Sequence, residues 1–214
     1  MKYKLMTVVG TRPEIIRLSE IIKKLDISFN HVLVHTNQNF DNELKDVFFK
    51  ELKLKKPKYD LNIKEKNAIS TIAKILVKIE EVLKKEKPDA FFVLGDTNSS
   101  LSAIVAKKYK IPIFHYEAGN RCFDQRVPEE INRKIVDHIS DLNLTYSNFA
   151  KENLIKEGYP VDRVFNIGSP LEEVISNNLN RINSSQILKK LSLKNKNYFL
   201  FSFHREENVD DKDR

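Results

Sequence analysis

The residues of this chain that are best suited to acid–base chemistry are acidic side chains placed at the ends of short apolar segments. Asp96 follows the run AFFVL and a glycine, and Glu117 directly follows IFHY. Glu129 comes later in the same region, just after Pro128. A positioned carboxyl group accelerates proton transfer by roughly 10²–10⁴-fold. Asp96 alone also fits a turn or a helix cap, whereas Glu117 and Glu129 together favour catalytic acids.

Guanidinium groups lie among these acids in the stretch from 115 to 141. Four carboxylates and three arginines follow one another closely there: Glu117, Arg121, Asp124, Arg126, Glu129, Glu130 and Arg133. A solvated surface can show the same density of charge. This cluster, however, begins where an apolar strand ends, which is where open α/β sheets bind ligands. Arg121 and Arg133 are therefore candidates for binding an anionic substrate.

The turn after the first apolar segment has the features of an anion site. Gly10-Thr11-Arg12-Pro13 leads into a predicted helix, whose first backbone N–H groups and positive dipole end attract negative charge. Arg12 adds a positive charge at this turn. Arg17 lies a little over one helical turn further on, where it either reaches the same pocket or extends along the surface.

A parallel sheet must position these residues, because short apolar strands alternate with helices. Strands are predicted at 4–9, 31–35, 59–63, 90–94, 113–116, 142–145 and 164–167. Helices are predicted at 13–24, 42–52, 69–85, 99–108, 129–139 and 147–157. This order indicates a doubly wound parallel α/β sheet. Since the strand ends of such a sheet line one crevice, Arg12, Asp96 and Glu117 are expected to converge.

The character of the chain changes after residue 170. Residues 1–170 form the predicted Rossmann-like domain, and residues 171–196 form a connector with a helix at 171–179, polar residues to about 185 and a short helix at 186–191. Residues 197–214 are predicted to begin a second, truncated Rossmann-like domain. Its first strand is Tyr198–Phe203, and His204 at the end of that strand is expected to face the other site residues.

Composition excludes several functional classes. The chain has 214 residues, 41% of them hydrophobic, and a net charge of +7. Its lysines lie beside glutamates along predicted helices, as on an ordinary solvated surface, so no nucleic-acid partner is predicted. No apolar run approaches the ~18 residues of a membrane span. The single cysteine, Cys122, rules out an intramolecular disulfide and predicts a cytoplasmic protein.

The histidines do not indicate a metal site. His115 and Glu117 alternate along a strand, but no third ligand follows at a recognisable spacing. His115 is therefore expected to be a core residue with satisfied hydrogen bonds, and no metal or other cofactor is predicted.

Six segments together resemble the non-hydrolysing UDP-N-acetylglucosamine 2-epimerase family. In chain order they are VGTRPEIIRLS (9–19), LGDTNSS (94–100), HYEAGNR (115–121), VPEEINR (127–133), NIGSP (166–170) and FHREEN (203–208). The resemblance implies two Rossmann-like domains in the GT-B arrangement, of which this chain has the N-terminal half. It also implies a homodimer for the full-length protein. The amino-acid sequence from Glu117 to His138 resembles that of the family branch that makes UDP-N-acetyl-L-fucosamine for capsule and O-antigen polysaccharides.

The resemblance also implies a reaction and the residues that perform it. Family members eliminate UDP to form a 2-acetamidoglycal and then add UDP back, which inverts C2. By this likeness Asp96, Glu117 and Glu129 supply acid–base groups, and Arg12 and His204 contact the diphosphate. Arg17 matches a basic position of the family. The substrate implied is UDP-2-acetamido-2,6-dideoxy-L-talose.

Several alternatives stay open. UDP-N-acetylglucosamine itself is one possible substrate, giving UDP-N-acetylmannosamine. A hydrolysing epimerase, a GT-B glycosyltransferase and a catalytically incomplete nucleotide-sugar module are the other functions considered.

Overall fold

The chain folds into a parallel sheet whose strands alternate with helices. The computed structural model describes residues 2–37 and 42–201. The strands are β1 (Lys4–Val9), β2 (Asn30–His35), β3 (Tyr59–Asp60), β4 (Ala90–Leu94), β5 (Ile113–Tyr116), β6 (Leu142–Thr145) and β7 (Val164–Asn166). The helices are α1 (Arg12–Ser28), α2 (Asn42–Glu51), α3 (Ala68–Glu86), α4 (Ala103–Lys108), α5 (Pro128–Ile139), α6 (Asn148–Lys156), α7 (Leu171–Asn183) and α8 (Ile187–Lys190).

The strand order is β3-β2-β1-β4-β5-β6-β7, and every neighbouring pair is parallel. The order reverses between β1 and β4, so the loops that follow these two strands diverge to opposite faces of the sheet. Such a reversal is the point where doubly wound sheets bind their ligands. The predicted doubly wound Rossmann-like fold is confirmed.

The core lies on both faces of the sheet because the central strands are apolar on both sides. Met6, Val8, Phe91 and Val93 point to one face, where they pack with α3, α4 and α5. Their sequence neighbours point to the other face and pack with α1 and α2: Leu5, Val9, Phe92 and Leu94. This two-sided burial is typical of parallel strands between two helical layers.

Residues after β7 differ from the prediction in two places. The polar residues 177–183, expected as a connector, belong to α7, because Leu171, Val174, Leu179 and Ile182 repeat at helical spacing. The segment predicted as the strand Tyr198–Phe203 is not a strand over its described part, residues 198–201. Phe199 is 89% exposed there, and no described strand pairs with it.

The chain divides into two compact units, Met1–Val174 and Ile175–Arg214. All seven strands belong to the first unit. Across the described ranges, no helix is both long and apolar enough to cross a membrane.

Candidate active site

Two of the predicted acids, Asp96 and Glu117, follow neighbouring strands and share one arginine. The strands β4 and β5 that precede them are paired up to Leu94 and Tyr116. Arg133 of α5 donates to the carboxylate of Asp96 and to the backbone carbonyl of Glu117. Its guanidinium also lies 3.8 Å from the Glu117 carboxylate. Since the Arg133 side chain is only 9% exposed, both acids are held by a cation that is largely removed from water.

Glu117 also binds a second arginine, on α1. Arg17 Nη1 lies 2.6 Å from Glu117 Oε2, although the two residues are 100 positions apart in the chain. The Arg17 side chain is 39% exposed, and that of Glu117 is 11% exposed. Of the two positions considered for Arg17, the structure therefore has the one at the strand ends, where its partner is a carboxylate.

The backbone at Glu117 has an unusual conformation that places its side chain against the neighbouring strand end. Glu117 has φ +66°, a left-handed conformation that is uncommon outside glycine. Gly95 packs against this carboxylate, since a Cβ at Gly95 would lie 3.3 Å from Glu117 Oε2. Backbone strain of this kind persists where the surrounding structure enforces it.

A buried network of His115 and Asp137 binds the backbone next to Glu117 and supports this conformation. His115 Nε2 lies 2.8 Å from the carbonyl of Gly95, to which it donates, and His115 Nδ1 lies 2.8 Å from Asp137 Oδ1. Asp137 accepts from the backbone N–H of Gly119 at 3.2 Å. His115 and Asp137 are fully buried. The network therefore fixes Gly95, at the neighbouring strand end, and Gly119, two residues after Glu117. His115 is a buried core residue, as predicted.

Arg121 belongs to this network. Its side chain is fully buried between Asp137 Oδ2, at 2.7 Å, and Glu157, at 2.6 Å. Arg121 was predicted to bind the substrate. In the structure it binds Asp137 and Glu157, and it does not contact Asp96, Arg133 or Glu117 in the cluster described above. The partners were not foreseeable because Asp137 and Glu157 come from other elements.

The β1–α1 turn contains a carboxylate where an anion site had been expected. Glu14 Oε2 accepts from the backbone N–H groups of Gly10 at 3.0 Å and Thr11 at 2.7 Å. Glu14 Oε1 accepts from Thr97 Oγ1 at 3.0 Å, which joins the β1 and β4 loops at the switch point. The prediction of free backbone N–H groups at this turn was therefore wrong. The Thr-x-x-Glu capping-box pattern is the sequence signal that predicts this contact.

Burial sets the protonation behaviour of Glu14. Its side chain is 2% exposed. Burial raises the pKa of Glu14 to about 7, although the hydrogen bonds from Thr11, Gly10 and Thr97 act in the opposite direction. Arg12 is exposed, and its guanidinium lies 5.9 Å from the ring centre of Phe48. The structure does not bring Arg12 into contact with Asp96 or Glu117.

The two glutamates at the start of α5 have different environments. Glu129 is exposed and forms no hydrogen bond or ion pair within the described ranges. Glu130 is buried, accepts from the backbone N–H of Cys122 at 3.0 Å and pairs with Lys134 at 3.2 Å. Glu130 therefore anchors the loop before α5. Asn132 was missed by sequence reasoning, and its Nδ2 donates to the carbonyl of Asp96 at 2.9 Å.

Two tyrosines border the same strand ends. Tyr116 donates to the carbonyl of Gly168 at 2.7 Å, and its ring centre lies 5.0 Å from that of Tyr146. Burial, followed by the negative charge of Glu117, raises the pKa of Tyr116 to about 12. Among the described residues, no group of three His, Cys, Asp or Glu side chains is suited to a metal ion. His204 lies outside the described residues.

Comparison with known proteins gives one consistent family. The family model described as UDP-N-acetylglucosamine 2-epimerase matches residues 23–214. A curated relative, the UDP-N-acetylglucosamine 2-epimerase of Methanocaldococcus jannaschii, is 42% identical over 99% of this chain. This chain spans 59% of the length of that relative.

Solved structures give the same result. The structure of UDP-N-acetylglucosamine 2-epimerase from Rickettsia bellii shares 54% identity with a TM-score of 0.92, and the match covers 97% of this chain and 56% of that one. The Methanocaldococcus jannaschii enzyme in complex with UDP-GlcNAc and UDP shares 42% identity with a TM-score of 0.90. That match covers 98% of this chain and 59% of the other.

Proposed function

The chain belongs to the UDP-N-acetylglucosamine 2-epimerase family, and from this premise we propose that it acts in inverting C2 of a UDP-2-acetamido sugar. The observation that carries the proposal is the pairing of Asp96 and Glu117 through Arg133 at the ends of β4 and β5. Two carboxylates held by guanidinium groups at a switch-point crevice suit proton transfer next to a negatively charged leaving group.

The proposed reaction proceeds by elimination and addition. A carboxylate removes the C2 proton, the bond from C1 to the UDP oxygen breaks, and a C1=C2 double bond forms in a 2-acetamidoglycal. UDP then adds back to C1 while a proton is delivered to the opposite face of C2. One proton leaves C2 and one returns, and the C1–O bond that breaks is formed again, so the reaction has no net change in oxidation state and needs no cofactor.

We assign the acid and base roles to Asp96, Glu117 and Glu129. Asp96 and Glu117 are supported by their shared contact with Arg133. Glu129 is exposed at the start of α5, where a bound ligand could reach it.

We assign charge stabilisation to Arg12, Arg17, Arg133 and His204. Arg17 is supported by its exposed position and its ion pair with Glu117, since the diphosphate would compete for the same guanidinium. Contacts of Arg121 with Asp137 and Glu157 favour a role in holding the loop over a role in binding the substrate.

Two sugars are candidates for the substrate. The amino-acid sequence from Glu117 to His138 favours UDP-2-acetamido-2,6-dideoxy-L-talose as substrate, with UDP-N-acetyl-L-fucosamine as product. The names of the relatives favour UDP-N-acetylglucosamine. The division into residues 1–170, 171–196 and 197–214, the homodimer, the cytoplasmic location and a role in surface polysaccharide synthesis stay predictions.

The test is proton NMR of the chain in D₂O with each sugar nucleotide. We expect the C2 proton signal of one sugar to disappear as deuterium exchanges into it. Glu117→Gln should slow this exchange by about 10²–10⁴-fold. Glu81→Gln, on the exposed face of α3, is the matched control and should exchange at the wild-type rate.

Two other outcomes distinguish the alternatives. Binding of UDP-sugar by the folded chain without exchange would favour the non-catalytic nucleotide-sugar module. Absence of both binding and exchange with either sugar, from protein shown to be folded, would contradict the proposed function.

A further inference from the structure

Tyr146 places a buried hydroxyl group beside the candidate site. The residue directly follows β6, so it stands at the same sheet edge as Glu117, which follows the adjacent strand β5. Its ring packs edge-on against Tyr116, with an interplanar angle of 85°. The hydroxyl oxygen is shielded from solvent and finds no hydrogen-bond partner among the described residues. A buried hydroxyl group without a partner destabilises a fold, so it requires an explanation.

Two other buried polar atoms without a hydrogen bond face a charged group. His115 Nδ1 lies 2.8 Å from Asp137, and Glu130 Oε1 lies 3.2 Å from Lys134. Two more, on Asn143 and Thr145, lie within β6. Tyr146 differs from the charged pairs because no ion-pair partner faces its hydroxyl group among the described residues, and it differs from Asn143 and Thr145 because it lies beyond the last residue of β6.

The charges around Tyr146 are those of the site. Burial raises the pKa of the Tyr146 hydroxyl, and the negative charge of Glu117 raises it further, against smaller opposite effects of Arg17 and Arg133. The phenol therefore stays protonated at neutral pH and acts as a hydrogen-bond donor. Arg17 is the most exposed of these three charged neighbours, since its side chain is 39% exposed against 11% for Glu117 and 9% for Arg133.

We propose that Tyr146 is a further substrate-binding residue, whose hydroxyl group donates a hydrogen bond to an oxygen of the sugar in the bound UDP-sugar. This inference rests on the proposed function. The sugar is the expected acceptor because Tyr146 stands next to Glu117, the carboxylate assigned to chemistry at the sugar ring. The diphosphate is assigned instead to Arg12 and Arg17 of α1, whereas Tyr146 follows β6, on the other side of β5 from β1.

The test compares Tyr146→Phe with Tyr116→Phe in the same chain. Both variants lose one hydroxyl group from neighbouring rings, but Tyr116 has a hydrogen bond to the carbonyl of Gly168 at 2.7 Å. We expect Tyr116→Phe to lower the thermal unfolding midpoint. Tyr146→Phe should leave the midpoint unchanged or raise it, because no internal hydrogen bond is lost.

Binding is then measured by titrating the wild-type chain and Tyr146→Phe with UDP-N-acetylglucosamine and, separately, with UDP. We expect the variant to bind UDP-N-acetylglucosamine about 5- to 10-fold more weakly, which is the size of one neutral hydrogen bond. Its affinity for UDP should not change, since UDP has no sugar acceptor beyond the ribose.

Each contrary result has a distinct meaning. Equal affinities of wild type and variant for UDP-N-acetylglucosamine would overturn the inference, as would an equal loss for UDP. A fall of the unfolding midpoint as large as that of Tyr116→Phe would also overturn it, because the hydroxyl would then have a structural partner. Failure of the folded wild-type chain to bind either UDP-N-acetylglucosamine or UDP-2-acetamido-2,6-dideoxy-L-talose would contradict the proposed function, and the inference with it.

Discussion

Replacing Glu14 by Gln should make this chain more stable at neutral pH. Glu14 lies in the β1–α1 turn, where its carboxylate accepts from the N–H groups of Gly10 and Thr11 and from the Thr97 hydroxyl. A glutamine can keep this arrangement, since its carbonyl oxygen accepts from the two N–H groups and its amide donates to Thr97 Oγ1. The substitution therefore removes a buried charge while preserving the cap.

The magnitude follows from the pKa of Glu14, which burial raises from 4.5 to about 7. Below pH 4.5 the carboxyl group is neutral in both the folded and unfolded chain. Between pH 4.5 and about 7, Glu14 loses its proton more readily in the unfolded chain than in the folded chain. The free energy of unfolding therefore falls as the pH rises through this range. A shift of this size corresponds to about 3 kcal/mol lost above pH 7.

Urea unfolding of wild type and Glu14→Gln between pH 4.5 and 8 measures this difference. We expect the variant to exceed wild type by up to about 3 kcal/mol at pH 8, and the gap to close toward pH 4.5. A gap that is constant with pH, or that favours wild type at pH 8, would refute the reasoning. It would mean that the hydrogen bonds to the carboxylate outweigh its burial.

Glu130→Gln is the matched control, because folding lowers the pKa of Glu130 whereas it raises the pKa of Glu14. Burial of Glu130 acts to raise its pKa, but the Cys122 backbone N–H and Lys134 outweigh burial and lower it. The carboxylate therefore adds stability above pH 4.5, and this stability is lost as the pH falls. We expect Glu130→Gln to be less stable than wild type at pH 7, with the difference shrinking below pH 4.5.

Three further predictions concern the buried network, a glycine beside the site and Arg17. Asp137→Asn removes one of the two carboxylates that bind the buried Arg121, together with the charge that faces His115 and Gly119. Urea unfolding should show a loss of about 3–5 kcal/mol, and a loss below 1 kcal/mol would argue against the network. Gly119→Ala should prevent stable folding in a thermal melt, because the added Cβ would lie 2.2 Å from a backbone oxygen. The control is Gly158→Ala, whose Cβ meets nothing within 4 Å and which should lower the free energy of unfolding by about 1 kcal/mol. Arg17→Met should weaken UDP binding in a calorimetric titration by about 10-fold while the chain stays folded, and unchanged affinity would remove Arg17 from the diphosphate site.

The fold was predictable because each strand carries its own local signal. The strands at 90–94, 113–116 and 142–145 were predicted with the bounds that the structure has. A strand buried on both faces is a continuous apolar run, and it ends where a glycine or polar residue begins a turn. Such signals do not depend on the rest of the chain. The predicted strand from Tyr198 lacks a described neighbouring strand, and an isolated strand is not stable.

The contacts of the site were less predictable, because they join residues that are far apart in the sequence. Position after a strand correctly indicated that Asp96 and Glu117 lie together, since parallel strands end at one edge. It could not indicate that Arg121 turns inward to Asp137 while Arg133 turns to the acids. That choice depends on which carboxylates α5 and α6 bring near each guanidinium, and it appears only when these helices are packed. The roles assigned to these residues in catalysis stay predictions.

The site has a buried layer and a partly exposed layer of charged side chains. In the buried layer, His115 binds the backbone of Gly95 and Asp137 binds the backbone of Gly119. These contacts surround Glu117 and support its left-handed conformation. The other layer is partly exposed, and Arg17 is its most accessible charge. We expect an anion that binds Arg17 to change the contacts of the Glu117 carboxylate while the Glu117 backbone stays fixed, because the buried contacts of His115 and Asp137 do not involve Arg17.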